Sequence, residues 1–513
     1  LSNFVHLHNH SHYSIRDGVS KIGDMVSKAK ELGFESIALT DHGTCAGLYS
    51  FYKTCKKKEI KPILGMETYI VPNHLEKVKG QKPWHLVLLA KNKAGYKNLV
   101  KLSSIAYTDG FYGKPRIDFD LLSKHHEGLI VSSACRNGEV SRALLEEDGG
   151  FEKAIGVVNK HKELFGDDYY LEIMFHVYNS KEDTKEEMLL AKKMKELAEK
   201  TNTKAICTND CHYVNKDDAK SHDILLAIAD IDTIKNPERR TYNSNQFYLK
   251  SYEEMKKLYS SAPELLENTI EIQNKIEEDL IEVSDELLLP DFEIPQGFDS
   301  EEAYLKELVT IGMKERGLFG KDKYRKRVKY EMDVILGCKY TKYFLILWDI
   351  INFCNQNNLR VGIGRGSAVS SLVLYALGIT KLDPLKYDLL FERFLNPERI
   401  SPPDVDLDFD YDRRSEVYEY IVRTYHPDHC AQIGTYGKYK ARSIIRATAK
   451  VLDICDDWEK NKYYKVKGID KEAKESLFLS DAISKTIPPV PNITLTEAYK
   501  SKKNWEFRNY MDK

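Results

Sequence analysis

The sequence predicts an α/β protein: a β/α barrel of about seven short strands, then a second body of strand, glycine turn and helix. Three observations carry this. Short apolar runs alternate with helical stretches from residue 3 to residue 212, and side chains able to ligate metal gather at the ends of those runs. Farther on, a glycine-rich turn in Val361–Ala368 precedes alternating carboxylates at Asp404, Asp406, Asp408 and Asp410.

Asn3–Tyr13 reads as the first strand, running into a histidine cluster. A helix from about Ser20 follows, because Ile22, Met25, Val26, Ala29 and Leu32 fall on one face. Further strands are expected at Ser36–Thr40, Ile63–Glu67, Trp84–Leu88, Leu129–Cys135, Tyr170–Ile173 and Ala205–His212. A barrel of this kind keeps its chemistry at the C-terminal strand ends. His8, His10, Asp17, His42, Glu67, Cys135, Asp210 and His212 fall there, whereas His85 opens its strand. One such residue alone would be read as structural; this many over most of the strands predict a polynuclear metal site. Imidazole, carboxylate and thiolate together suit two or three Zn, Mn or Fe ions better than Mg alone. Ions so held acidify water and clamp a phosphate ester. His6 and His12 are expected to be structural.

Residues 215–275 read as charged helices, and the Pro/Gly-bearing stretch Leu289–Gly297 as a connector, with a boundary between residues 275 and 298. Helical segments over Glu301–Gly337 lead to the apolar run Tyr343–Ile350. In Val361–Ala368, strand, glycine turn and helix would let backbone N–H groups and a helix N-terminus approach a phosphate, with Arg365 pairing and Ser367 donating to its oxygens. Read as a strand, the four aspartates share one face and Val405, Leu407 and Phe409 the other. Same-face neighbours lie about 7 Å apart and repel unless a cation intervenes. Two ions about 3.5–4 Å apart would suit in-line phosphoryl transfer; the alternative is an acidic edge strand that deters aggregation. Tyr436–Arg442 with Arg446 and Lys450 interleaves aromatics and cations without an acid, suiting a phosphate backbone or, more simply, a solvated helix face.

With 513 residues, about two to four domains are expected. A hydrophobic fraction of 42% supports substantial cores, and a net charge of −2 means that any nucleic-acid surface is local. The nine cysteines form no Cys-x-x-Cys pair, which suits a reducing, cytoplasmic setting. No apolar run reaches membrane-spanning length and no signal peptide opens the chain; a start at Leu1 suggests a trimmed terminus.

Gly364-Arg365-Gly366-Ser367, Tyr375–Thr380, Leu390–Arg399 and Pro403–Asp406 resemble the palm of the C-family replicative DNA polymerases, the bacterial DNA polymerase III alpha subunits. The likeness runs through nearly the whole chain. It implies a PHP (polymerase and histidinol phosphatase) domain over residues 1–280, a polymerase beta-like nucleotidyltransferase palm over 281–435, and a mostly helical thumb over 436–513. It places metal ligands at His8, His10, Asp17, His42, Glu67, His85, Cys135, Asp210 and His212, in a domain that resembles a 3′–5′ exonuclease where the set is kept. It assigns two Mg²⁺ ions to Asp404 and Asp406, the incoming deoxynucleoside triphosphate to Gly364, Arg365, Gly366, Ser367 and Arg393, and primer–template DNA to the thumb, where Lys438, Lys440, Arg442 and Arg446 lie. Ile363, Ser370 and Pro402 depart from the family's proline, glycine and methionine, which bears on local turn geometry. An insertion is expected around residues 456–475.

The family's two-metal palm takes a third aspartate from a later segment, and nothing after Asp410 resembles it; fingers and a sliding-clamp-binding region are not recognisable either. The chain alone is therefore expected to be polymerase-incomplete, to need a further polymerase segment or second chain, and through it to meet the clamp and other replisome subunits. The competing readings are a free-standing PHP phosphoesterase, which would need neither glycine turn nor aspartates, and a non-catalytic replisome scaffold, which would need no full ligand set.

Overall fold

The computed structural model describes residues 3–283, 288–396, 398, 403–452, 479–501 and 507–508. The insertion expected around 456–475 and the departure at Pro402 lie outside them. The chain divides into two compact units, Leu1–Val283 with Lys438–Lys513, and Ser284–Gly437.

The first unit is built on seven strands: β1 (Ser36–Leu39), β2 (Lys61–Ile70), β3 (Trp84–Ala90), β4 (Arg116–Ile117), β5 (Leu129–Ser132), β6 (Tyr169–Ile173) and β7 (Ala205–Cys207). Their order is β1-β2-β3-β5-β6-β7, with β4 beside β2. Most are buried along their whole length, as expected of a sheet covered by helices. The helices Lys93–Thr108, Phe119–Lys124 and Lys181–Thr201 each start on a polar cap, Asn92, Asp118 and Ser180, whose side chain accepts a free N–H of the first turn.

Two sequence expectations are corrected here. Asn3–Tyr13 is not a regular strand; it is an extended segment with one bridge, Asn9 to Cys211. It nevertheless bonds to both sheet edges: Ala38 and Thr40 N–H donate to the carbonyls of His6 and Asn9, while the His10 and Cys211 N–H groups donate to those of Cys211 and His8. The segment thereby joins β7 back to β1 and closes the barrel. The second correction is direction. β3 runs antiparallel to both β2 and β5, whereas the other main pairings are parallel. The N-terminal end of β3 therefore lies at the same end of the barrel as its neighbours' C-terminal ends.

The second unit is helical among its described residues. Helices Glu301–Glu315, Asp322–Gly337 and Thr341–Gln356 pack through Leu305, Val309, Ile335, Phe344 and Leu345, with Leu372 and Phe391 closing the core. The carboxylate stretch is extended but forms only one bridge, Val361 to Phe409, with Gly362 N–H donating to the Asp408 carbonyl. Val405 and Leu407 still turn toward the core, so the alternation holds where the ladder does not.

The stretch expected as a helical thumb begins at residue 436, and its part from Lys438 on falls in the first unit. Within that unit, the helix Ala441–Val451 lies against Ala219–Asp230, and Ile234 N–H donates to the Val451 carbonyl. Ala441, Ile487, Ala498 and Phe507 form a small core there. No helix among the described residues is long and apolar enough to cross a membrane.

Candidate metal centre

All nine donors named from the sequence converge at one end of the barrel. His8 and His10 come from the closing segment, Asp17 and His42 from loops, Glu67 from β2, Cys135 from beyond β5, and Asp210 and His212 from beyond β7. His85 joins them because β3 is reversed: it stands opposite Tyr69 in the ladder, and its Nδ1 lies 2.8 Å from Glu67 Oε1. The apparent misfit of a ligand at a strand start is thus a consequence of strand direction.

Among the described residues, three sets bring their donor atoms within 4.8 Å of one another: His8, His10 and Asp210; His10, His42 and His212; His42, Glu67 and His85. Glu67 and Asp210 bridge them, with His8 Nε2 3.4 Å from each carboxylate and His10 Nε2 3.1 Å from Asp210. Asp17 lies 3.4 Å from His42, and Cys135 Sγ lies 3.5 Å from His85 Nδ1.

The polar bookkeeping here is unusual. His8 Nε2, His10 Nε2, His42 Nδ1, Asp17 Oδ1, Glu67 Oε2 and Asp210 Oδ1 are buried and make no well-aligned hydrogen bond, yet they crowd one another, with His42 Nδ1 2.5 Å from Glu67 Oε2 and His10 Nε2 3.1 Å from Asp210 Oδ1. Polar atoms left short of well-aligned hydrogen bonds are costly to bury. Several aimed at one small volume fit a site for divalent cations, which this donor set is chemically suited to hold.

The remaining ring nitrogens are held from behind. His8 Nδ1 donates to Glu172 (3.1 Å). Ser14 donates to Asp41 and so accepts from His10 Nδ1 (3.0 Å), which leaves His10 Nε2 with its lone pair forward. His212 Nδ1 donates to the Asp210 carbonyl, and its Nε2, the nitrogen left to ligate, meets the Tyr242 hydroxyl at 2.9 Å, a contact that ligation would replace. Glu172, Ser14, Asp41 and Tyr242 were not among the sequence-derived candidates. Glu172 alone left a signal, as the one carboxylate in an otherwise apolar strand. His6 and His12 take structural bonds instead, to the Lys250 and Ser20 carbonyls.

Electrostatics agree with a cation seat. Burial opposes charge on His8, yet the carboxylates of Glu172, Asp210 and Glu67 prevail and raise its pKa. His42 rises to about 9 because Asp17 and Glu67 likewise outweigh burial. His10, which faces His42 and His212, falls to about 3, with burial the larger cause. Burial is the largest single influence on Asp17, but His42, His212, His10 and Arg240 together outweigh it and bring it to about 2; Glu67 and Asp210 are held low despite theirs.

In the second unit, the glycine turn and the aspartates do meet. Gly364 (φ 93°) needs glycine twice over: its backbone is left-handed, and a Cβ would lie 2.8 Å from Thr380 Cγ2. Gly366 also has positive φ. Arg365 turns onto Asp406 (2.8 Å) and Asp408 (3.2 Å), and Asp404 is exposed. Ser367 gives its carbonyl to the Ser370 hydroxyl. Arg393 is exposed, and among the described residues no hydrogen bond ties it to this cluster. The turn leads into the 3-10 helix Gly366–Ser370, and the N-terminus of the next helix is already occupied. The helix Leu372–Ala376 already has the buried carboxylate of Glu331 there, accepting from Leu372 N, Val373 N and Ser371 Oγ at 2.9 Å each. Of the basic residues, Lys438, Lys440, Arg442 and Arg446 are exposed, with Arg442 donating to the Ile487 carbonyl.

The closed sheet with its ring of imidazole, carboxylate and thiol donors marks a PHP-type domain, and a helical unit follows it in the chain. The PHP domain family matches residues 6–176, and the bacterial DNA polymerase III alpha NTPase domain family matches residues 303–510. DNA polymerase III subunit alpha of Borreliella burgdorferi is 44% identical over 457 residues, 88% of this chain and 39% of that one. Its counterpart in Treponema pallidum is 40% identical over 503 residues, 97% of this chain and 40% of that one. A solved structure described as a metal-dependent phosphoesterase, from Bifidobacterium adolescentis, aligns at a TM-score of 0.26 and 14% identity over 40% of this chain and 87% of its own, too low to argue from. The chain belongs to the bacterial DNA polymerase III alpha family, and spans about two fifths of the length of these curated relatives.

Proposed function

We propose that the chain is the N-terminal part of a replicative DNA polymerase whose PHP domain is a metal-dependent 3′–5′ exonuclease. The observation that carries the exonuclease reading is the convergence of buried, poorly hydrogen-bonded donor atoms on His8, His10, Asp17, His42, Glu67 and Asp210. Two or three Zn, Mn or Fe ions there would supply Lewis acidity toward a phosphodiester and acidify water. The chain's own part is to hold the seat rigid: Glu172 and Ser14 fix the rings of His8 and His10, and Tyr242 presents a hydroxyl beside His212. A cleft of about 730 Å³ opens onto Asp17, His42, His85, Cys135 and Asp210, giving a chain end access to them.

For the polymerase reading, Asp404 and Asp406 hold Mg²⁺, with Gly364, Arg365, Gly366, Ser367 and Arg393 toward the triphosphate and Lys438, Lys440, Arg442 and Arg446 toward primer–template DNA. This reading rests on the family and on the approach of Arg365 to the aspartates. A further polymerase segment or chain would supply a third carboxylate and the contacts to clamp and replisome.

The experiment uses metal-replete protein and a single-stranded oligonucleotide labelled at either end. Nucleotides should leave the 3′ end, and His8→Ala or Asp210→Ala should lower the rate by about a thousandfold or more, while Asp404→Ala leaves it unchanged. Release only from 5′ ends, or loss in Asp404→Ala, sinks the reading. In primer extension with a downstream polymerase segment added, Asp404→Ala and Asp406→Ala should each abolish synthesis.

A further inference from the structure

The cleft above the metal centre holds several cations, and their partners sort them. Arg16 pairs with Asp230 (2.6 Å), Arg136 with Glu186 (2.6 Å), and Arg240 with Asp230 (2.8 Å) and Asp17 (3.3 Å). Arg116 spends its guanidinium on the carbonyls of Gly110, Glu76 and His74, and Arg142 donates to the Lys82 carbonyl. Lys114 differs. Like the exposed Lys82, it makes no ion pair or side-chain hydrogen bond among the described residues, but it is half-buried in the cleft, and its Nζ lies 4.1 Å from the centroid of the Tyr69 ring. Asp17 and Glu67, both in the donor set, are the carboxylates that act on it most strongly.

The fold fixes this placement. The turn Tyr112–Lys114 closes by a backbone bond, and β4 then pairs Arg116 with Tyr69. The three guanidinium bonds of Arg116 pin the turn from below. Gly43, next to His42, lets it come close: a Cβ there would lie 2.6 Å from Pro115 Cγ and 3.2 Å from Tyr69 Cδ2, and its φ is 61°. An ammonium held on an aromatic face beside the donor set, with its hydrogens unspent, is prepared for an anion that arrives with the substrate.

We infer that Lys114 is the phosphate anchor of the metal centre, binding a non-bridging oxygen of the phosphoester that the ions engage. The inference rests on the metal-dependent phosphoesterase reading above and assigns its substrate-side contact. No bond is made or broken by Lys114; it orients the phosphate and balances its charge.

Inorganic phosphate is the probe. Calorimetry on the metal-loaded chain should show phosphate binding weakened about tenfold or more in Lys114→Met and Lys114→Gln, with metal content and thermal midpoint as in the wild type. Lys114→Arg should recover to within about threefold, and Lys82→Met, at an exposed lysine of the same cleft, should bind within twofold of wild type. With an oligonucleotide substrate, the Lys114→Met loss should appear in KM as well as kcat. Absence of phosphate binding by the wild type, affinity unchanged in both neutral variants, or loss of metal along with phosphate each overturns the assignment. Phosphate binding that behaves as expected without any oligonucleotide hydrolysis sinks the exonuclease reading alone and leaves the anchor standing.

Discussion

Arg365 closes on Asp406: its Nη1 lies 2.8 Å from Oδ2, and its Nε reaches Asp408 at 3.2 Å. The guanidinium stands where alternating carboxylates would otherwise repel, so the protein supplies its own counter-charge. The side chains are 58% and 40% exposed, which limits the Arg365–Asp406 pair to about 0–1 kcal/mol. A divalent ion at Asp406 competes with it. Arg365→Gln should therefore tighten Mn²⁺ binding at this segment by up to about fivefold, read by titration against an Asp406→Asn baseline with the barrel already loaded. Unchanged affinity would mean that the arginine does not guard the seat.

At the barrel, elemental analysis of metal-replete protein should give more than one equivalent of transition metal per chain. His10 contributes to two of the three donor sets. His10→Ala should lower the count. Ion at a hundredfold excess over its Kd should stabilise the fold by about 2.7 kcal/mol per site, seen as a fall in thermal midpoint on chelation. A midpoint indifferent to chelator, with no metal retained, rejects the centre.

Glu331 is fully buried and pairs with Arg327 at 2.6 Å while capping the helix Leu372–Ala376. Removing one partner of such a pair leaves a buried charge alone. Glu331→Ala should cost about 3–5 kcal/mol in the second unit, followed by urea unfolding. A cost under about 1 kcal/mol would show that solvent or a neighbour replaces the carboxylate.

Lys250 donates to Asn209 Oδ1 at 2.8 Å, next to Asp210, and burial pushes its ammonium down to about 8 from 10.5. The folded pKa is the lower, so between these values the unfolded chain holds more protons and stability rises with pH. Relative to Lys250→Met, the wild-type thermal midpoint should be flat below pH 8 and climb from pH 8 to 10.5. A difference that does not change over that window refutes the burial argument.

Much of the candidate site was legible because its residue types are rare together. His8, His10, His42 and His212 sit at the ends of apolar runs, and the strand period places such ends at one rim. Glu172 and Tyr242 were not legible as partners of His8 and His212, since each reaches its histidine over 30 or more positions. Lys114 and Glu331 read as ordinary surface charges until the turn over Tyr69 and the helix end at Leu372 are in place.

The sequence by itself determined the donor types, the alternation of apolar runs with helices, and the inward turn of Val405 and Leu407 between aspartates. These follow from local side-chain periodicity and chemistry, which no distant residue can alter. Only the tertiary structure decided that β3 runs backwards and carries His85 to the rim, and that the first segment closes the barrel without becoming a regular strand. It also decided that Glu331 caps the helix Leu372–Ala376, farther along from the glycine turn. Strand direction and cap occupancy depend on which distant groups meet, because backbone hydrogen bonds and buried charges must find partners wherever the packed chain supplies them.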